Sequence, residues 1–160
     1  MRIGVVSDTH GQVMFARQAV RILESCDVEL VIHCGDIGSA AIVPLFSPWP
    51  THYVLGNVDG GGGGLKEAIA AAGHTCHGRF GQLELDGRRI AFLHGDDTNR
   101  LHDAIQSGDW DLVCHGHTHV PRNERLGRTL VLNPGALHRA NPHSIALVEL
   151  PKLDVTTIVV

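Results

Sequence analysis

Little in this chain would tie it to a membrane, to nucleic acid or to a covalent staple. No apolar run approaches the ~20 residues needed to span a bilayer. Met1-Arg2-Ile3-Gly4 opens straight into a strand, without the apolar stretch and cleavage site of a leader. Lys and Arg are scattered with no polybasic run. The net charge of −4 and a pI near 6.3 argue against electrostatically driven binding to nucleic acid or membrane surfaces. The four cysteines, Cys26, Cys34, Cys76 and Cys114, show no C-x-x-C spacing. Cys34 and Cys114 lie in apolar strand-like runs, which reads as buried thiols in a reducing cytosol. The expectation is a cytoplasmic protein with no nucleic-acid or membrane partner; a homo-oligomer stays open. A length of 160 residues, 43% apolar and 19% charged, fits one globular domain over residues 1–160. A chain of that size buries roughly two-thirds of its surface without staples.

Histidine, by contrast, is plentiful, with twelve in the chain. His117 and His119 stand two residues apart in Cys114-His115-Gly116-His117-Thr118-His119. Related fragments end other apolar runs. Asp8-Thr9-His10 follows Ile3-Gly4-Val5-Val6, and Gly35-Asp36 follows Leu30-Val31-Ile32. Gly56-Asn57 follows Tyr53-Val54-Leu55, and His94-Gly95 follows Ile90-Ala91-Phe92-Leu93. Asp, His and Asn gathered at successive strand ends point to metal chemistry. His33, His52, His74, His77, His102, His138 and His143 have no ligand context and read as surface or partly buried polar residues; His115 falls just outside the set.

Periodicity supplies the scaffold. Ile3–Val6 suits a buried parallel strand, and Val13, Ala16, Val20 and Leu23 recur at helical spacing over about 12–25. Strands follow at 30–33 and 53–55, with a short helix at 40–46 interrupted by Pro44. The five glycines Gly60–Gly64 read as a mobile loop before a helix at 65–72. Beyond it, Asp86-Gly87 between two apolar runs signals a hairpin. A helix near 99–106 follows, then strands at 112–114, 129–132, 145–150 and 155–160. The first half is βαβαβ and parallel, and the second is strand-rich and mostly antiparallel. The fold class is α/β, with two packed sheets and helices outside.

Ligands of open α/β sheets bind beyond the carboxyl ends of the strands. Asp8, His10, Asp36, Asn57, His94, His117 and His119 all fall there. Imidazole and oxygen donors without thiolate suit Mn2+, Fe2+, Zn2+, Ni2+ or Co2+. A carboxylate can bridge two cations ~3.5–4 Å apart, and Asp36 in its tight turn is the candidate bridge. Two divalent cations against two carboxylates and a hydroxide leave a positive site, which favours a phosphate ester attacked in line. Metal coordination supplies that nucleophile at neutral pH by lowering the pKa of bound water.

In order and spacing, Asp8-x-His10, Gly35-Asp36, Gly56-Asn57-x-Asp59, His94-Gly95 and Gly116-His117-x-His119 resemble the calcineurin-like metallophosphoesterases, especially the small single-domain bacterial and archaeal phosphodiesterases. The likeness runs from residue 3 to about 135, through Asn133-Pro134-Gly135. It implies a four-layer α/β/β/α fold, a metal-dependent phosphodiesterase of small phosphate esters, and two divalent ions with Mn2+ foremost. It also implies that Asp8, His10, Asp36 and His119 hold one ion, and Asp36, Asn57, His94 and His117 the other. Two positions depart from the pattern. Val58 stands where many members carry a proton-donating histidine, and Asp96 stands where small relatives commonly read a second histidine after His94-Gly95. Asp59 and Asp96 are the candidate catalytic residues, Asp96 as substitute proton carrier or outer-shell partner. The competing expectation is a catalytically weak scaffold acting through protein contacts; a metallo-β-lactamase-like order of histidines does not match.

Overall fold

A strand that is apolar on consecutive residues has two faces to bury, and here both are covered. The computed structural model describes residues 1–60 and 64–160. Its elements in chain order begin with β1 (Arg2–Val6), α1 (Val13–Ser25), β2 (Leu30–His33), a 3₁₀ stretch (Ala40–Phe46), β3 (Thr51–Tyr53), α2 (Leu65–Ala71) and β4 (Thr75–Cys76). The hairpin β5 (Phe80–Leu85) and β6 (Arg88–Leu93) comes next, then α3 (Thr98–Gln106), β7 (Leu112–Cys114), β8 (Arg122–Leu126) and β9 (Thr129–Asn133). The order closes with β10 (Ser144–Glu149) and β11 (Asp154–Val159).

The first sheet runs β11-β10-β1-β2-β3-β4 and the second β5-β6-β7-β9-β8. Ile3, Val5, Ile32 and Val54 from one sheet meet Ile90, Phe92, Leu112 and Leu132 from the other in a layer with Cys34 and Cys114 buried inside it. The next residue along points the opposite way. Val6 and Val31 pack under Ala16, Ala19 and Leu23 of α1, and Ala91 and Val113 pack under Ile105 of α3. The result is helix, sheet, sheet, helix. No helix among the described residues is long and apolar enough to cross a membrane.

Several boundaries differ from the sequence reading. The stretch Ala40–Phe46 is 3₁₀ because Pro44 lacks the N–H an α-helix would need there. Two strands escaped periodicity: β4 is two residues long, and β8 (Arg-Asn-Glu-Arg-Leu) is a mostly exposed edge. The second half is not mostly antiparallel at its centre, since β6, β7 and β9 run parallel. Its last hairpin leaves that sheet altogether, and β10 pairs antiparallel with β1. The expected loop at Gly60–Gly64 lies mostly outside the described residues.

What matters for the site is direction. β1, β2 and β3 are parallel in one sheet, and β6 and β7 are parallel in the other. The residues that follow each carboxyl end therefore gather at one rim of the sandwich.

Candidate metal centre

Where the strands end, the backbone leaves its usual range. Asp8, His10, Asp36, His117 and His119 all have positive φ, between 43° and 67°. Such conformations cost a non-glycine residue on the order of 1 kcal/mol or more, least for Asp, Asn and His. Neighbouring bonds hold them in place. The 8–11 loop zips onto the 35–37 loop through Asp8 N–H to Gly35 O (3.0 Å), His10 N–H to Asp36 O (2.9 Å) and Gly11 N–H to Ile37 O (2.8 Å). Close approach explains two glycines: a Cβ at Gly56 would run into the Asp36 carboxylate, and one at Gly116 into Ser7 Oγ and Asp8.

Together with His94, which follows β6, four of these positive-φ residues aim their side chains at one point. Asp8 Oδ1 lies 3.1 Å from His119 Nε2, 3.7 Å from His10 Nε2 and 3.9 Å from His94 Nε2. Asp36 Oδ2 lies 3.3 Å from His10 Nε2 and 3.2 Å from His94 Nε2. The donor atoms of Asp8, His10 and His119 fall within 4.8 Å of one another, as do those of Asp8, Asp36 and His94. His117 stands beside them, its ring 5.1 Å from that of His94 and its N–H on Asp8 Oδ2 at 3.1 Å. Asn57 is exposed on the turn whose Val58 N–H donates to Asp36 Oδ1 at 3.1 Å.

The outer oxygens and nitrogens of this cluster are used, and the inner ones are not. Asp8 Oδ2 accepts from Ser7 Oγ at 2.6 Å, and His94 Nδ1 donates to Cys34 O at 2.8 Å, which leaves Nε2 with its lone pair facing inward. Asp8 Oδ1, His10 Nε2 and His94 Nε2 are buried without a hydrogen-bond partner among the described residues. Buried polar atoms are rarely left so, because each costs about 1–3 kcal/mol. Converging carboxylate and imidazole atoms with free lone pairs fit a divalent cation. Burial alone would raise the Asp36 carboxyl, but His94 and the Val58 N–H hold it below the usual range. Burial pulls His94 down, yet Asp36, Asp8 and the Cys34 carbonyl outweigh it and raise the imidazole.

Asp59 and Asp96 are engaged elsewhere. The buried Asp59 carboxylate accepts from the backbone N–H groups of Ile37 (3.0 Å), Gly38 (2.9 Å) and Gly56 (2.9 Å), fastening the Asp36 loop to the Asn57 loop. Asp96 is paired with Arg79. Burial would raise its carboxyl, but the Arg79 guanidinium holds it below the ordinary range. Val58 is half exposed at the rim.

Other residues at the site were not singled out from sequence. His33, read as surface or partly buried, is wholly enclosed. Its Nδ1 accepts from Gly35 N–H at 3.2 Å, so Nε2 donates to Thr9 Oγ1 at 3.0 Å, and Thr9 passes a bond to Ile37 O at 3.0 Å. Asn133 Nδ2 bonds Gly116 O (2.9 Å) and Thr118 Oγ1 (3.1 Å) and so shapes the turn that carries His117; its place in Asn133-Pro134-Gly135 was the available signal. His138 brings its ring within 4.8 Å of His10, and Arg79 had no sequence signal at all.

With that geometry in hand, comparison with known proteins is decisive. The model of the calcineurin-like phosphoesterase superfamily domain matches residues 1–152. The chain belongs to that superfamily. A phosphodiesterase of Methanocaldococcus jannaschii is 36% identical over 138 residues, covering 84% of this chain and 83% of that one. A probable metallophosphoesterase of Bacillus subtilis is 30% identical over 141 residues, covering 86% and 75%. The solved structure of an archaeal phosphodiesterase superimposes with a TM-score of 0.92 at 32% identity over 100% of both chains. This calcineurin-like phosphoesterase thus has the four-layer fold of its neighbours and a rim of candidate metal-binding residues.

Proposed function

We propose that the chain is a dinuclear metal-dependent phosphodiesterase acting on small phosphate esters, with residues 1–160 forming one domain. The observation that carries the reading is the convergence of unpartnered Asp8 Oδ1, His10 Nε2 and His94 Nε2 at one buried point. Asp8, His10 and His119 hold one ion, while His94, His117 and Asn57 hold the other, and Asp36 is shared. The distances favour Asp36 over Asp8 as the bridge: its Oδ2 is nearly equidistant from His10 and His94, whereas Asp8 Oδ1 sits closest to His119. When bound, two divalent cations, Mn2+ foremost, supply Lewis acidity toward the phosphoryl oxygens and a water of lowered pKa as nucleophile.

The protein's own contribution is position and charge. Cys34 O and Ser7 Oγ fix the His94 ring and the Asp8 carboxylate, so the donors meet the ions without rearrangement. Neutral imidazoles and Asn57 add no negative charge, which leaves the loaded site attractive to a phosphodiester anion. Val58 gives no proton to the leaving group, so esters of acidic alcohols or phenols suit the site best.

The test is direct. Protein stripped with chelator should be inactive, take up two Mn2+ per chain, and then hydrolyse bis-(p-nitrophenyl) phosphate faster than p-nitrophenyl phosphate. Asp36→Ala should remove at least about a thousandfold of that rate and lose both ions together. Metal-loaded protein that is inert toward mono- and diesters would overturn the enzyme reading, and an Asp36→Ala variant that keeps two ions would overturn the bridge.

A further inference from the structure

We infer that Arg79 and Asp96 form a positioning pair that fixes the gap between the Asn57 loop and the His94 loop, and with it the geometry of one metal ion. The inference rests on the dinuclear reading above. Arg79 leads into β5 and has no counterpart among the candidate ligands. Its Nη1 donates to Leu55 O at 3.0 Å, immediately before Gly56-Asn57, and its Nη2 donates to Asp96, immediately after His94-Gly95. Leu55 belongs to the exit of β3 in the first sheet, and Asp96 to the exit of β6 in the second. One guanidinium therefore spans both sheets at the rim where the site is built. The Leu55 residue is clasped on its other side too, since its N–H donates to Gly78 O at 2.7 Å.

The chemistry calls for arginine here. A planar fork can serve a carbonyl and a carboxylate at once, whereas an ammonium offers a single point of charge. Asp96 is thereby explained as well: its negative charge, close to a site for anions, is offset by Arg79. A cleft of about 70 Å³ opens beside the pair, lined by Arg79, His94, Asp96 and Arg100 among others, so the clamp borders the site on its His94 side.

Chelator-stripped wild type, Arg79→Met, Arg79→Lys and Asp96→Asn should be titrated with Co2+, following visible absorption and heat, beside thermal melting without metal. Wild type should take up two ions. Arg79→Met should leave one unchanged and weaken the other about tenfold or more, with an altered absorption band for that ion alone. Arg79→Lys should restore part of the loss, and metal-free melting should shift little. Two sites of unchanged affinity and spectrum in Arg79→Met would overturn the pairing role. So would a variant that binds Co2+ normally and shows only a raised KM, because Arg79 would then be touching substrate. Should Arg79→Met not fold, Arg79→Lys and Asp96→Asn decide by the same readings. Wild type that binds no Co2+ would overturn the metal reading first and this inference with it.

Discussion

The layer between the sheets and the rim above it are built from the same strands, yet they obey opposite rules. Along β1 and β2, Ile3, Val5 and Ile32 are apolar, buried and laddered. A few residues further, the same two strands deliver Asp8 and Asp36, equally buried, on left-handed backbone, with donor atoms turned inward. The first region lowers free energy by removing apolar area from water, at about 25 cal/mol per Å². The second raises it and is held there by the first. A rigid, cheaply folded layer is what allows a strained polar rim to keep one geometry.

Reciprocal substitutions separate the two regions most sharply. Phe92→Ala, in the inter-sheet layer, should cost about 3–5 kcal/mol of stability by chemical denaturation while the folded fraction keeps its metal affinity. His94→Ala, two residues on, should abolish uptake of one ion with a far smaller change in metal-free stability. If both variants lose stability and metal equally, the layer and the rim are one cooperative unit and the comparison fails.

Acid should act on the polar residues under the rim. Burial pushes His33 down to about 3 and His115 down to about 4, against about 6.5 in an unfolded chain. Below about pH 6.5 the unfolded chain binds protons that the folded one refuses. Stability therefore rises with pH through that window and falls as acid is added, by up to about 1.4 kcal/mol per pH unit for each group. Urea melts of chelated protein between pH 7 and 5 should show this slope, and His33→Gln should flatten it. An unchanged slope would mean that His33 is not the enclosed neutral group described above.

The smallest expected effect lies at the outermost edge. Val58→His places a proton donor on the exposed shoulder of the Asn57 turn and should raise the rate on alkyl phosphodiesters about tenfold, leaving p-nitrophenyl esters nearly unchanged. Equal gains on both substrates would count against proton donation as the missing element.

The parallel strands were legible because continuous apolar runs ending in Asp, His or Asn carry both the fold and the site in one pattern. The residue types of the candidate site were legible for the same reason, since left-handed turns favour Asp, Asn and glycine. The strand β8 was not, because an edge of Arg122, Asn123, Glu124 and Arg125 has no buried face to announce it. Nor was the partnership of Arg79 with Asp96, or of His33 with Thr9, which joins residues 17 and 24 apart through a geometry that no local period encodes. The partners of Asp59 were not legible either, because a carboxylate in such a turn looks the same in sequence whether it faces open space or three backbone N–H groups.

The pairing of β1 with β10 has a bearing on how the molecule is made. The strand β1 has a partner on one side, β2, within the first thirty-three residues, but its other edge is closed only by residues 146–149. Asp8 and His10 therefore grow out of a strand that stays half laced until β10, far along the chain, has paired with it. Pairing over such a sequence distance is slow, since a long loop must close before the contacts reward it. A cation captured early by the nascent Asp8-Thr9-His10 loop would meet only a fragment of its final sphere. A cation would find the whole candidate site only once β10 has docked on β1.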